Sequence, residues 1–307
     1  MTLTAVPQKP DIRSQLVNGI LAIRPIATFA KNRARAMMIQ RAEKLGVPWR
    51  DNVATLKQRD WQADLAAVEN LHLEYPAYYV TSFHAYDEGN LGWEPALEVE
   101  SAAYSVHSTL FGEPDVTGDA RLRDSYHQIL RSQLNFAPKT IVDIGCSVGM
   151  STEALQQIFP EAQLTGVDLS PYFLAVAKYR TEQQGKTVTW HHAPGEDTQL
   201  PAHSFDLVSC SLIFHELPQT AAIAIFQEAK RLLKPGGYFA MMDMNPQAEV
   251  YKKMPPYILT LLKSTEPYLD QYFSLDVSAE LHRAGFKTPF IQSNTPRHRT
   301  VIAQVQD

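Results

Sequence analysis

The stretch that decides the fold covers residues 140–151 and reads Thr-Ile-Val-Asp-Ile-Gly-Cys-Ser-Val-Gly-Met-Ser. Its β-branched first part, residues 140–144, predicts a buried strand. A glycine-bearing turn follows, and residues 150–159 have the pattern of a helix. A strand, a tight turn and a helix N-terminus together form a cradle for a nucleotide cofactor, because glycine lets the backbone approach the ligand and the first helical amides are unpaired donors.

The spacing of the small residues in this turn separates two classes of cofactor. A dinucleotide-binding turn carries G-x-G-x-x-G. This chain instead has Gly145, then Ser147, then Gly149. The spacing therefore argues against the pyrophosphate turn of an NAD-dependent oxidoreductase.

The same residues resemble the first motif of the class I S-adenosylmethionine (SAM) methyltransferases, an acidic residue followed by G-x-G-x-G. Asp143, Gly145 and Gly149 match that motif, and Ser147 replaces its middle glycine. A serine is small enough for a tight turn. The resemblance implies that this turn, Cys146 included, holds the amino-acid end of SAM, and that Asp143 acts on the ammonium or through water.

A second motif lies at the end of the next predicted strand, residues 163–167. Asp168 follows this strand, 19 residues beyond Gly149, and Leu169 comes next. A carboxylate at such a strand end can accept hydrogen bonds from both ribose hydroxyls. The same geometry serves NAD, so Asp168 alone does not distinguish the cofactors.

Two further motifs follow in the order of the resembling family. The third comes after the predicted strand 187–192, where the family places an acidic residue against the adenine amino group; Glu196 and Asp197 both qualify. The fourth, residues 204–217, resembles the family's fourth strand, with Ser211 in the part that passes the sulfur end of the cofactor. The resemblance covers about residues 120–307.

Alternating apolar strands and helical segments predict the fold class, an α/β, doubly wound, mostly parallel seven-stranded sheet with a mostly helical N-terminal cap. The predicted division is a cap or lid region at 1–115 and a SAM-binding domain at 116–307, in which 246–275 is a substrate-side insertion. Strands are predicted near 140–144, 163–167, 187–192, 205–211, 237–243, 287–292 and 299–305. Helices are predicted near 121–134, 150–159, 171–184, 218–232 and 276–284.

The N-terminal region is predicted to contain helices at 11–24 and 26–46, separated by Pro25, and a third within 51–72. Residues 83–93 are rich in aromatic and turn residues and form either a lid over the acceptor or a surface loop. The basic side chains of the first helices could give weak peripheral membrane contact or simply a solvated face: Arg24, Lys31, Arg33, Arg35, Arg41 and Lys44.

Composition and charge limit the classes of partner and compartment. Residues 1–60 hold 11 Lys and Arg against 4 Asp and Glu, whereas residues 61–307 hold 17 against 29. An acidic body argues against a nucleic-acid groove on the catalytic face. No apolar run approaches the length of a membrane span, and the only cysteines are Cys146 and Cys210. A globular, cytoplasmic protein of undetermined oligomeric state is expected.

His215 is the candidate catalytic base, because it follows the fourth predicted strand at the carboxyl edge where substrates bind. The alternative is a histidine that only packs at a helix start. Glu216 could orient His215 or favour the following helix N-terminus. Asp243 and Asn245 could bind an acceptor or cap the turn after the fifth strand.

A metal is not expected from the histidine and cysteine spacing. His191 and His192 are adjacent, so in a strand they point to opposite faces. The common zinc patterns are missing from the sequence.

The sequence therefore predicts a SAM-dependent methyltransferase that moves a methyl group to a small, partly apolar acceptor and leaves S-adenosyl-L-homocysteine. It resembles most the branch with the ubiquinone and menaquinone methyltransferases. The acceptor atom, oxygen, nitrogen or carbon, stays open. Three rivals also stay open: a non-catalytic SAM-binding protein, a protein-modifying methyltransferase and, with less support, an NAD-dependent oxidoreductase.

Overall fold

The computed structural model describes residues 24–81 and 86–306 of the 307-residue chain. Its centre is a seven-stranded sheet in the order β3-β2-β1-β4-β5-β7-β6. The strands are β1 Thr140–Ile144, β2 Gln163–Asp168, β3 Thr189–His192, β4 Phe205–Ser211, β5 Leu233–Met244, β6 Phe290–Ser293 and β7 His298–Gln304. Strands β1 to β5 pair in parallel, and β7 pairs antiparallel with both β5 and β6. The predicted mostly parallel, seven-stranded sheet is confirmed.

Helices cover both faces of this sheet. They are α1 Arg24–Lys44, α2 Trp49–Lys57, α3 Gln62–Val68, α4 Trp93–His107, α5 Gly118–Gln133, α6 Met150–Ile158, α7 Pro171–Gln183, α8 Gln219–Leu232, α9 Glu249–Lys252, α10 Pro256–Thr265, α11 Leu269–Ser274 and α12 Val277–Arg283. Neighbouring residues of β5 face opposite ways: Phe239 joins the apolar core that contains Phe226 of α8, and Ala240 joins the core that contains Leu130 of α5. The sheet therefore separates two apolar cores.

The N-terminal region is mostly helical, as predicted, but its helices differ in number and place. The predicted helix 11–24 lies outside the described residues except for Arg24. Phe83 and His84, at the start of the expected lid, also lie outside them. The helix predicted within 51–72 is in fact two, α2 and α3. Helix α4 was not predicted; it begins at Trp93, the last residue of the expected lid, and Pro95 lies in its first turn, where a missing amide costs little.

The N-terminal helices share an apolar cluster with α7. Trp61 and Leu97 pack in it with Phe173 and Val176. Trp61 also meets the edge of the Tyr179 ring, with 5.4 Å between the centroids. Because α7 directly follows β2, this cluster fixes the N-terminal region beside the strand end that carries Asp168.

Part of the basic face of α1 forms ion pairs with another helix of the fold. Arg35 forms ion pairs with Glu94 and with the buried Glu98, both on α4. Arg33 and Arg41 are exposed. The predicted membrane contact stays a prediction. Within the described residues, none of the helices combines the length and the apolar character that crossing a bilayer requires.

The segment 246–275 is helical rather than an irregular connection, since it contains α9, α10 and α11. Helix α11 packs against the short 3₁₀ turn Phe214–Glu216 that follows β4. The hydroxyl of the buried Tyr272 donates to the Met244 carbonyl at the end of β5, over 2.7 Å. The segment is thereby anchored at the carboxyl edge of β4 and β5, on the side expected for the acceptor.

Candidate active site

The turn after β1 has the backbone that a close ligand approach requires. Gly145, Ser147 and Gly149 all have positive φ angles, 72°, 49° and 85°. A Cβ on Gly145 would come within 2.4 Å of the Ile213 side chain, and one on Gly149 within 2.7 Å of the Trp190 ring. Glycine is needed at both places. Ser147 takes the left-handed conformation expected of the motif's middle residue, so its departure from glycine leaves the turn intact.

Asp168 is joined directly to this turn. The Ser147 amide donates to Asp168 Oδ2 over 2.7 Å, and the Ser170 amide donates to Oδ1 over 2.8 Å. Burial raises the pKa of Asp168 to about 6, and these amides oppose the rise. The two predicted motifs thus meet at one carboxylate at the end of β2.

Among the described residues, Asp143 finds hydrogen-bond partners for only one of its two carboxylate oxygens. Its Oδ2 accepts hydrogen bonds from Ser151 Oγ over 2.6 Å and from Thr152 Oγ1 over 2.7 Å, both in the first turn of α6. Burial raises the pKa of Asp143 to about 6, against the effect of these two hydroxyls. The side chain therefore holds the helix start in place beneath the turn.

The structure separates the two acidic candidates of the third motif. Glu196 is half-buried, and its Oε1 accepts a hydrogen bond from the Tyr78 hydroxyl over 2.7 Å. Asp197 is exposed and accepts a hydrogen bond from the Gln199 side chain. Glu196 is the better candidate for the adenine edge, because its carboxylate is sheltered from water.

The remaining cofactor candidates are Cys146, Leu169 and Ser211. Main-chain contacts place the first two, and Ser211 is placed by its position at the end of β4. Cys146 is buried, its amide donates to the Val167 carbonyl, and its thiol lies beside Gly166 of β2. The Leu169 carbonyl lies 2.9 Å from His192 Nε2. Ser211 ends β4 in a half-buried position, opposite Met242 of β5.

Three buried polar atoms along this edge fit a polar ligand. Asp143 Oδ1, Ser147 Oγ and Glu196 Oε2 have no hydrogen-bond partner among the described residues. Buried polar groups are nearly always hydrogen-bonded in folded proteins, so unpartnered ones point to a missing partner. Two carboxylates and a hydroxyl suit the ammonium, hydroxyl and amino groups of SAM.

On the acceptor side, His215 is part of a His–Asp pair. His215 lies in the 3₁₀ turn after β4, and its Nδ1 is 2.7 Å from Oδ1 of the fully buried Asp243 at the end of β5. Asp243 also accepts the amides of Phe214, over 2.8 Å, and Met244, over 2.6 Å. The carboxylate thus fixes both the imidazole and the turn that carries it.

Burial and nearby carboxylates shift the pKa of His215 in opposite directions. Burial lowers the pKa of His215, but Asp243, with Glu266 and Glu216, raises it to about 10. The imidazole is therefore protonated at neutral pH in the free protein.

His215, Glu216 and Glu266 each place one possible ligand atom within 4.8 Å of the others. A divalent cation could use such a set, which the sequence did not reveal because Glu266 is 50 residues away from Glu216. The same two carboxylates help to raise the pKa of His215. The expectation of no metal stays a prediction.

Sequence reasoning missed two relationships of the site. Asp243 was expected to bind an acceptor or to cap the turn after β5, and Glu216 to orient His215 or to favour the following helix N-terminus. In the structure the orienting contact comes from Asp243, while Glu216 Oε1 lies 3.9 Å from His215 Nε2. Asn245 caps the next turn, because its Oδ1 accepts the Gln247 amide. The contact of Tyr78 with Glu196 spans 118 positions, and no spacing rule could have found it.

Comparison with known proteins agrees with this arrangement. A family model described as a methyltransferase domain matches residues 142–241. The chain is similar to the ubiquinone biosynthesis O-methyltransferase of Aromatoleum aromaticum, with 30% identity over 157 residues, 50% of this chain and 65% of that protein. It therefore spans less than two thirds of that relative. It is also 30% identical over 164 residues to a Synechocystis sp. protein described as an uncharacterized methyltransferase, covering 53% of this chain and 74% of that protein.

A solved structure shows the same fold over nearly the whole chain. The CurJ carbon methyltransferase aligns with a TM-score of 0.54 and 11% identity, over 96% of this chain and 71% of the other. Such low identity is evidence for the fold alone. The sheet order, the cofactor edge and the sequence relatives agree, and the chain belongs to the class I SAM-dependent methyltransferases.

Proposed function

We propose that this protein methylates a hydroxyl group on a small, partly apolar acceptor, with His215 and Asp243 handling the acceptor proton. The observation that carries the proposal is the 2.7 Å contact between His215 Nδ1 and Asp243 Oδ1. A carbon or amine nucleophile that already has a free electron pair needs no such base, whereas a hydroxyl becomes a good nucleophile only when it loses its proton.

The His–Asp pair suits an acidic hydroxyl. A carboxylate at Nδ1 fixes the tautomer, so that Nε2 is the atom that meets the acceptor. A pKa of about 10 at His215 is close to the ordinary pKa of a phenol. The pair can therefore share one proton with a phenolic acceptor, either as imidazole beside phenol or as imidazolium beside phenolate. The neutral pair and the charged pair have the same net charge.

The surroundings of the pair favour a partly apolar acceptor. The helical segment 246–275 brings aromatic rings to this edge: Tyr251 and Phe273 lie 5.3 Å apart, and Tyr268 meets Tyr78 of the N-terminal region at 6.4 Å. Aromatic walls bind flat, apolar molecules well and exclude water. The names of the ubiquinone biosynthesis O-methyltransferase relatives support a hydroxyl acceptor of this kind.

We further propose which residues hold the cofactor. The backbone at Gly145, Cys146, Ser147 and Gly149 and the free oxygen of Asp143 would hold its amino-acid end, Asp168 and Leu169 its ribose, Glu196 its adenine, and Ser211 would lie near its sulfur. SAM supplies the electrophilic methyl when it is bound. The protein's own part is to orient the acceptor hydroxyl and to hold its proton at His215 Nε2.

A paired set of acceptors tests the proposal. Purified protein with labelled SAM would be offered catechols and phenols, and the aniline analogues of the same ring systems. We expect methyl transfer to the hydroxyl compounds and little to the anilines. Transfer to the anilines alone would refute hydroxyl methylation, and SAM binding without turnover on either set would favour the non-catalytic reading.

A further inference from the structure

The cofactor edge of the sheet is covered by a short segment of the N-terminal region. Residues 70–79, called here the tyrosine strap, follow helix α3 and contain Tyr75, Tyr78 and Tyr79. The strap belongs to no helix or strand. Its contacts nevertheless fall on the ends of β2 and β3 and on the loop after β3, where the candidate cofactor residues lie.

The base of the strap is held by His192, the last residue of β3. The Asn70 amide donates to His192 Nδ1 over 2.9 Å. Nε2 of the same ring lies 2.9 Å from the Leu169 carbonyl and 3.3 Å from the Tyr75 hydroxyl. An amide can donate only to an unprotonated ring nitrogen, so His192 is the neutral tautomer with its proton on Nε2. Burial lowers the pKa of His192, which favours this neutral form.

The far end of the strap lies on the cofactor carboxylates. The Tyr78 hydroxyl donates to Glu196 Oε1 over 2.7 Å, and the Tyr78 ring rests edge-on against Tyr268. Tyr79 stacks on Tyr75, with ring centroids 6.3 Å apart. Burial raises the pKa of Tyr79, and the nearby charge of Asp168 adds to the rise, so the phenol stays protonated beside that carboxylate.

Tyrosines of the strap therefore lie at both candidate cofactor carboxylates: Tyr78 donates a hydrogen bond to Glu196, and Tyr79 is close enough to Asp168 for its charge to raise the Tyr79 pKa. Glu196 is the candidate for the adenine amino group and Asp168 for the ribose hydroxyls, and both of those groups are hydrogen-bond donors, as a phenol is. Asp168 already accepts two amides, from Ser147 and Ser170, so each of its oxygens has one further lone pair for a phenol or a ribose hydroxyl. The Tyr78 hydroxyl and an adenine amino group are thus donors to the same carboxylate, that of Glu196, and the strap already occupies its Oε1.

We propose that the tyrosine strap is an internal competitor of SAM, with the Tyr78 hydroxyl in the place of the adenine amino group at Glu196. The inference rests on the proposed function only in so far as SAM binds at this edge. Cofactor entry then requires the strap to leave Glu196, and cofactor exchange is coupled to the N-terminal region that also borders the acceptor.

Binding measurements with conservative variants test the competition. Tyr78→Phe removes the competing hydroxyl and keeps the ring, and Tyr75→Phe weakens the anchor at His192. We expect SAM to bind about fivefold more tightly to Tyr78→Phe, the size of one ordinary hydrogen bond, with a smaller gain for Tyr75→Phe. The gain should lie in the association rate. Tyr104→Phe is the matched control, because Tyr104 donates to Glu100 in the same kind of bond on α4 and should leave affinity unchanged.

Hydrogen exchange provides a second measurement on the unaltered protein. When S-adenosyl-L-homocysteine is added, exchange of the amides in residues 69–80 should become faster while exchange in residues 143–170 slows. Slower exchange in both segments would mean that the strap closes over the cofactor, and competition would be wrong. Equal or weaker SAM binding by Tyr78→Phe would also overturn it. If the wild-type protein binds no SAM, the fault lies with the proposed function.

Discussion

Asp243 Oδ1 lies 2.7 Å from His215 Nδ1, although 28 positions separate the two residues in the chain. The contact exists because β4 and β5 are parallel neighbours, so that their carboxyl ends meet at the same edge of the sheet. Asp243 is fully buried and also accepts the Phe214 amide, so the carboxylate cannot turn away from the imidazole. His215 is thereby held in one orientation.

Replacing His215 should separate a catalytic from a structural role. With a hydroxyl acceptor, we expect His215→Ala to lower the rate roughly 10²–10⁴-fold, because the acceptor proton then has no base. SAM affinity should barely change, since His215 is not among the residues of the cofactor edge. Titration calorimetry with SAM and a single-turnover assay would measure both. A folded variant with wild-type turnover on that acceptor would exclude His215 as the base.

The pH dependence of kcat/KM should depend on the partner of His215. With the His215 pKa near 10, the neutral imidazole is scarce at pH 7, and the rate on a hydroxyl acceptor should rise with pH towards that value. Asp243→Asn removes the charge that raises the pKa, so the midpoint should move down towards the ordinary histidine value of about 6.5. A profile that is flat from pH 6 to pH 9 in the wild-type protein would contradict this.

Asp168 should matter for affinity and little for folding. We expect Asp168→Ala to weaken SAM binding by about 1.5–3 kcal/mol, the usual cost of losing hydrogen bonds to a charged group. The fold should survive, because the side chain ends a strand and contributes no apolar packing. Unchanged SAM affinity in a folded variant would show that the ribose does not bind at the end of β2.

The two acidic residues of the third motif should behave differently. Glu196→Gln should weaken SAM, because the half-buried carboxylate would no longer accept fully from the adenine amino group. Asp197→Asn is the matched control, since Asp197 is exposed and pairs with Gln199. Its SAM affinity should equal that of the wild-type protein. The reverse order of effects would move the adenine site to Asp197.

Removing residues 1–115 should destabilise what remains. We expect the shortened chain to unfold at lower denaturant concentration than the full one, because Phe173 and Val176 lose the apolar partners that Trp61 and Leu97 provide. Turnover should be lost with it. The point variant Trp61→Ala should cost about 3–5 kcal/mol of unfolding free energy by the same cause. An equally stable truncation that retains full activity would show that the region is dispensable.

The sequence predicted the strands and the turn after β1 well, because both depend on local signals. The β-branched runs and the turn at Gly145–Gly149 specify strands and a positive-φ backbone within a few positions. The end of β2 at Asp168 was predicted for the same reason. By contrast, the link of Asp243 to His215 depends on which strands become neighbours, and a strand pattern alone does not state its partner.

Helix α4 was missed for a different physical reason. Its first residues, Trp93, Glu94 and Pro95, continue a glycine-rich aromatic stretch whose composition is typical of a loop. The helix is stabilised by its buried face, which includes Ala96 and Leu97, and by the pairing of Glu98 with Arg35 of α1. Tertiary contacts of this kind override weak local propensity, and they become visible only when the chain is folded.

The closeness of the Trp190 ring to Gly149 gives the protein an optical property. The chain has four tryptophans, and the other three, Trp49, Trp61 and Trp93, belong to the N-terminal region. Indole emission responds to the polarity and motion of its immediate surroundings. Trp190 lies directly against the turn proposed to hold the amino-acid end of the cofactor, so a chain in which the other three are phenylalanine is expected to report cofactor occupancy by its own fluorescence, without a label and in real time.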